Sequence, residues 1–135
     1  MQSCDQKQPC RLLVVDDESI VGKRLRQVFS KMGFEIETFV DGAPAMAAMA
    51  EKPFDVVVTD LKMADMDGME VLRQVRQHHP STRVIIITGY ADEATAEEAR
   101  RLGVFEFLAK PFRLDTLKDL VFRALEAKRQ DDLKG

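Results

Sequence analysis

Four apolar runs punctuate the chain, and each ends on a residue with chemistry to offer. Leu12-Leu13-Val14-Val15 leads into Asp16 and Asp17, and Val56-Val57-Val58 into Thr59 and Asp60. Val84-Ile85-Ile86-Ile87 leads into Thr88, and the segment from Val104 to Ala109 into Lys110. The first three are short, rich in β-branched residues and free of polar alternation, which predicts strands covered on both faces. Phe34 to Val40 instead alternates apolar with polar positions, as a strand nearer a sheet edge should.

Between these runs the period lengthens to that of a helix. Val21, Leu25, Val28, Phe29 and Met32 form one apolar stripe, with Ser19 the expected cap and Gly33 the expected stop. Asp41-Gly42 opens an alanine and methionine helix through Met49, and Asp67 with Glu70 has capping-box spacing for a third helix running towards His78 and closed by Pro80. A fourth helix is expected from about Glu93 to Leu102, its apolar face mostly alanine and so weakly anchored. The last places Leu114, Leu117, Val121, Ala124 and Leu125 on one side and ends at Lys128 and Arg129.

Five strands alternating with five helices predict an α/β fold, a doubly wound five-stranded parallel sheet of order 2-1-3-4-5 with right-handed crossovers. In that order the first and third strands are neighbours at the switch point, and ligands of open parallel sheets bind outside the carboxyl ends of the strands. Asp16, Asp17 and Asp60 should therefore converge, with Thr88 and Lys110 beside them.

Composition narrows the picture without redirecting it. With 135 residues and 45% hydrophobic content, the chain can bury one core. The expected division is a flexible tail over 1–10, one domain over 11–129 and a charged tail over 130–135. A net charge of -3 and a sequence pI near 5.4 mark neither a nucleic-acid nor a membrane surface. No apolar run approaches the ~20 residues that cross a bilayer. Cys4 and Cys10 read as reduced bystander thiols of a cytoplasmic protein, with no His or further Cys near enough for a metal site. His78-His79, before Pro80, reads as a solvated helix end, Met46 and Met49 as core filler, and Asp65 as a residue that solvates its loop.

Three converging carboxylates repel one another, a cost that a hard divalent cation with oxygen ligands would relieve. Mg²⁺ suits such a site, since it takes one or two carboxylates directly and leaves room for a phosphoryl oxygen. Asp60 could then attack phosphorus to form an aspartyl phosphate. The Lys110 ammonium and the Thr88 hydroxyl would stabilise charge on the equatorial oxygens.

Asp16-Asp17, Asp60, Thr88-Gly89 and Lys110-Pro111-Phe112, in that order and at that spacing, resemble a bacterial response-regulator receiver domain of two-component signalling, a flavodoxin-like fold. The resemblance covers the chain from Arg11 to Arg129. It implies that Asp60 is the phosphoacceptor and that Asp17 and Asp60 bind Mg²⁺ directly. It further implies that Asp16 acts through water, that the Lys62 carbonyl completes the protein ligands, and that the Lys110-Pro111 bond is cis. Thr88 would move towards the phosphoryl group and Phe107 would turn inwards, changing the surface of the fourth helix, fifth strand and fifth helix.

By the same resemblance the phosphodonor is a sensor histidine kinase or a small phosphodonor. A histidine phosphotransfer protein or a downstream effector would be a further partner, and activation could bring a homodimer. Direct nucleic-acid or membrane binding by this domain is not expected. Neither is catalysis beyond its own phosphorylation and slow dephosphorylation.

Ala64 follows Met63 where the family usually has proline, and Phe107 stands where tyrosine is common. Lys62 and Tyr90, two residues past Asp60 and Thr88, are candidate controls on phosphoryl lifetime, by shielding phosphorus from in-line water. The rival readings are a phosphohydrolase working through an aspartyl phosphate and an unphosphorylated binding module on the same fold. The first wants a second acid two residues after a first-strand Asp, and a cap; the second would not need the full acid, Thr and Lys set. With no output segment after Gly135, the sequence reads as a stand-alone regulator or as a receiver cut from a longer protein.

Overall fold

The computed structural model describes residues 9–134, with side chains described over 9–131. Ten elements alternate without exception: β1 Arg11–Val15, α1 Ser19–Lys31, β2 Glu35–Phe39, α2 Gly42–Glu51, β3 Val56–Asp60, α3 Gly68–His78, β4 Arg83–Thr88, α4 Glu93–Arg101, β5 Glu106–Ala109 and α5 Leu114–Lys134. The strands form one parallel sheet in the order β2-β1-β3-β4-β5, the expected doubly wound topology.

Because side chains alternate along a strand, each apolar run feeds two cores. Leu12, Val14, Val56, Val58, Ile85 and Ile87 point to the face covered by α1 and α5, where they meet Leu25, Phe29, Leu117 and Val121. Leu13, Val15, Val57, Val84 and Ile86 point to the face of α2, α3 and α4, against Ala45, Met49, Leu72 and Val75. Every residue from Val56 to Thr59 and from Ile85 to Thr88 is buried, which is why these runs show no polar alternation. Met49 is buried in this core and Met46 packs against it, as core filler should. Among the helices α4 is the most lightly seated: of its residues only the alanines Ala96 and Ala99 are buried.

Local signals account for most boundaries. Gly33 and Gly103 follow α1 and α4 with φ of 92° and 91°, a backbone region that favours glycine after a helix. The Asp67 side chain accepts the Glu70 N–H at 2.9 Å and caps α3. His78 is exposed at the end of that helix, as expected.

Other expectations need correction. Ser19 does not cap α1: the cap position is Glu18, whose side chain makes no capping bond because it is engaged elsewhere. Asp65 does not merely solvate its loop. Its carboxylate accepts the N–H groups of Gly42 and Ala43 at 3.0 and 2.9 Å, capping α2 from the β3–α3 loop.

The chain ends also differ from expectation. The last helix continues past 129 to Lys134, so the charged segment is helix rather than tail. Side-chain ties explain the continuation: Arg83 pairs with Asp131, Lys128 with Asp55 at 3.1 Å, and Gln130 bonds Glu126 one turn back. At the other end Cys10 belongs to the domain, being buried, with its carbonyl accepting the Glu35 N–H at 2.8 Å. Cys4 and the rest of 1–8 lie outside the described residues.

Gly68, the first residue of α3, donates its N–H to the Leu61 carbonyl at 2.7 Å, and a Cβ there would sit 2.4 Å from the Asp60 carbonyl oxygen. A Cβ on Gly89 would meet nothing within 4 Å. Gly68→Ala should therefore cost about 1–3 kcal/mol in urea unfolding, as overpacking does. Gly89→Ala should leave the midpoint within about 0.5 kcal/mol of the parent, as open surface sites do.

Candidate functional site

Strand register assembles the site. Val15 pairs with Thr59, so Asp16 and Asp60 leave the sheet at one level. Asp60 pairs with Ile87, with Thr88 one step beyond, and Thr88 pairs with Ala109, with Lys110 one step beyond that. The Lys110 N–H donates to the Thr88 carbonyl at 2.7 Å, and the Lys110–Pro111 bond is cis, as expected.

The three acids converge as the topology requires, with ligand oxygens of Asp16, Asp17 and Asp60 all within 4.8 Å of one another. Asp16 and Asp60 are buried and Asp17 is exposed. The Lys110 Nζ reaches into this group from the far side of the sheet edge. It stands 2.8 Å from Glu18 Oε1, 2.9 Å from Asp16 Oδ2 and 3.4 Å from Asp60 Oδ2.

The two buried carboxylates, Asp16 and Asp60, each have one oxygen held by a backbone N–H and the other in ionic contact with Lys110. Asp16 Oδ1 accepts the Glu18 N–H at 2.9 Å, and Asp60 Oδ1 accepts the Leu61 N–H at 2.8 Å. Asp16 Oδ2 is buried without a well-formed hydrogen bond, so its ionic contact with Lys110 is what offsets its charge. Such an oxygen, among three carboxylates and with no His or Cys in the cluster, fits a hard, oxygen-seeking divalent cation.

Electrostatics follow from this crowding. Burial, and after it the charge of Asp16, pushes the Asp60 carboxyl from 3.8 up to about 6, against the opposing pull of Lys110 and the Leu61 N–H. For Lys110, burial acts downwards, but the hydrogen bond to Glu18, the close ionic contact with Asp16 and the charges of Asp16 and Asp60 outweigh it, holding the ammonium well above its usual range. The hydrogen bond from Lys110 holds Glu18 below the usual carboxylate range.

The remaining predicted residues border this cluster. Thr88 is buried and its Oγ1 accepts the Tyr90 N–H at 2.9 Å. Phe107, opposite Ile86 on β5, is half-buried against the α2–α4 face. Tyr90 is 63% exposed and its ring lies 5.4 Å from the Lys62 Nζ, a cation–π contact linking the two loops. Beside Lys110 a groove of about 390 Å³ opens between α1 and the β5–α5 loop, lined by Val21, Leu25, Pro111, Phe112 and Leu114 as well as Glu18.

Two participants escape sequence reasoning. Glu18 is separated from Lys110 by 92 positions and carries no signal beyond being an acid before a helix. Asp65 is likewise tied to residues 22 and 23 positions away.

Comparison with known proteins agrees with this geometry. The family model described as "Response regulator receiver domain" matches residues 12–122. The regulatory protein AtoC of Escherichia coli K12 is 42% identical over 116 residues, covering 86% of this chain and 25% of that protein. The DNA-binding transcriptional regulator NtrC of the same strain is 39% identical over 112 residues, covering 83% of this chain and 24% of its own. The chain thus spans about a quarter of the length of these relatives. Among solved structures, a response regulator receiver domain protein from Clostridium thermocellum superposes with a TM-score of 0.83 at 32% identity, covering 90% of this chain and 98% of its own.

A folded-state pKa raised above the unfolded value means stability that is present at low pH and lost as pH rises. Asp60 therefore contributes fully below about pH 4 and loses that contribution as pH passes about 6. In EDTA, Asp60→Asn should raise stability at pH 7.5 by about 1–3 kcal/mol, with the gain vanishing near pH 4. Urea midpoints of both proteins at the two pH values check this.

Proposed function

This chain belongs to the response-regulator receiver domains, the phosphoacceptors of two-component signalling, and from that premise we propose that Asp60 receives the phosphoryl group. In the proposed step a carboxylate oxygen of Asp60 attacks phosphorus. A P–O bond forms while the bond from phosphorus to the donor breaks, its electron pair leaving with the donor imidazole or acetate. Hydrolysis later adds water at phosphorus and returns the free carboxylate and inorganic phosphate.

The observation that carries this reading is the Lys110 ammonium on Asp60 Oδ2 at 3.4 Å, brought from the end of β5, the outer strand beyond β4, which itself supplies Thr88. An ammonium held there meets the extra negative charge of a phosphorylated Asp60 without travelling, the preorganisation that phosphoryl transfer asks of a protein. The Thr88 hydroxyl, one step past the partner of Asp60, would exchange its bond from the Tyr90 N–H for one to a phosphoryl oxygen.

Asp16, Asp17 and Asp60, with the Lys62 carbonyl, would hold Mg²⁺. When bound, the ion neutralises charge on the phosphoryl oxygens and on the acids themselves. Receiver domains as a family use a divalent cation at such an acidic pocket; that this chain takes Mg²⁺ through these four residues belongs to the proposal.

The switch would then follow as a shift of population. The phosphoryl group favours whichever arrangement of Thr88, Phe107 and α4 binds it better, and only by that difference. The shallow seating of α4 on Ala96 and Ala99 makes it the helix least costly to move. The cognate sensor histidine kinase would be the donor, and the recipient a downstream effector, a histidine phosphotransfer protein or a second copy of this chain. AtoC and NtrC are named as regulators, NtrC as DNA-binding, so a transcriptional output is the reading they favour for a longer protein containing this domain. The phosphohydrolase and the unphosphorylated binding module are not favoured by the family match.

Acetyl phosphate with Mg²⁺ should add one phosphoryl mass to the parent and none to Asp60→Ala; an unchanged parent mass, or modification retained in Asp60→Ala, would overturn the assignment. Lys62 and Tyr90, two residues past Asp60 and Thr88, meet in a cation–π contact, and if they shield phosphorus from water, Lys62→Asn with Tyr90→Glu should shorten the phosphoryl half-life severalfold, read by the decay of the phosphorylated mass. A half-life no shorter than the parent's excludes the shielding role.

A further inference from the structure

Glu18 belongs neither to the metal-ligating set nor to the residues that meet phosphorus, yet it makes the shortest of the three contacts to the Lys110 Nζ. Its main-chain N–H is fixed on Asp16 Oδ1, and its side chain, 59% exposed, forgoes capping α1 to reach across the mouth of the groove. The ammonium is thus divided. Two of its partners are acids that a cation would need, and one is not.

We propose that Glu18 is a positioning residue that holds the Lys110 ammonium off the metal-binding oxygens, so that lysine and cation share the acid cluster instead of competing for it. This rests on the reading of the cluster as a Mg²⁺ site. Without the Glu18 carboxylate, Asp16 Oδ2 and Asp60 Oδ2 are the acidic oxygens left to Lys110 among its present ion-pair partners. An ammonium confined to those oxygens occupies the positions a divalent cation must take, and cation affinity falls. The longest of the three contacts, the 3.4 Å one to Asp60, would shorten at the same time.

Charge alone and reach make different predictions, and Glu18→Asp separates them. Aspartate keeps the charge but is one methylene shorter, and at a cap position it bonds the helix's own N–H groups. Mg²⁺ affinity can be measured by titrating ¹⁵N-labelled protein and following amide shifts of the residues after β1 and β3. Glu18→Gln and Glu18→Asp should both raise the Mg²⁺ dissociation constant roughly two- to fivefold, the scale of a partly exposed ion pair. In a Lys110→Ala background the same two substitutions should each change it by less than half that factor.

Parent-like affinity in Glu18→Asp with weakened affinity in Glu18→Gln would leave Glu18 as background charge and overturn the proposal. So would equal losses with and without Lys110, or no loss in either variant. If the parent itself shows no Mg²⁺-dependent shifts, it is the metal-site reading that fails, and that outcome is distinct from parent binding with unaltered variants. Glu18 is exposed and makes no capping bond, so both variants should fold, and their amide spectra show this before titration.

Discussion

Two carboxylates, Asp16 and Asp60, are buried side by side because parallel register leaves them no alternative, and the molecule is built around the repulsion this creates. Val15 and Thr59 are paired in the centre of a sheet whose flanking residues are fully buried, so neither strand can slip to separate the acids that follow. A one-residue slip would turn every core side chain of the strand to the wrong face. The repulsion is therefore held in place by hydrophobic packing and relieved only by charge, from Lys110 or from a cation. That is the condition under which a carboxylate can be made reactive towards phosphorus without collapsing the fold.

The relief comes from the far end of the chain. Lys110 is brought into reach by β5 pairing with β4 and by its own N–H on the Thr88 carbonyl. The same hydrogen bond ties Lys110 to Thr88, whose hydroxyl accepts the Tyr90 N–H. In the proposed switch a movement of Thr88 would pass along β5 to Phe107, which is half-buried against the α2–α4 face. α1 and α5 seat large aliphatic and aromatic residues on the sheet and α4 two alanines, so the proposed switch would act on the α4 side.

On the other flank the loop after Asp60 is braced rather than free. Asp65 caps α2, Gly68 packs its backbone on Asp60 and Leu61, and the Asp67 side chain starts α3. Ala64 stands where the family usually carries proline, and the Asp65 bonds supply restraint to that same loop by hydrogen bonding to backbone donors. The charge on Asp65 is held below the usual carboxylate range chiefly by the Ala43 and Gly42 N–H groups, so the brace persists across the neutral pH range.

Hydrophobic periodicity by itself determined the number, type and order of the elements, and strand-end chemistry determined which residues should meet. The reason is that buried β-branched runs, helical stripes and a topological switch point are local or combinatorial facts, readable from Val56-Val57-Val58 and its counterparts without coordinates. Tertiary structure alone decided the partners of groups whose own segments say nothing. Glu18 faces Lys110 rather than its own helix, Asp65 caps a helix two elements back, and α5 extends because Arg83 and Asp55 sit beneath its last turns. These are contacts between residues far apart in the chain and exposed enough to lack a periodic signature, so only the closing of the fold brings their charges within reach of one another.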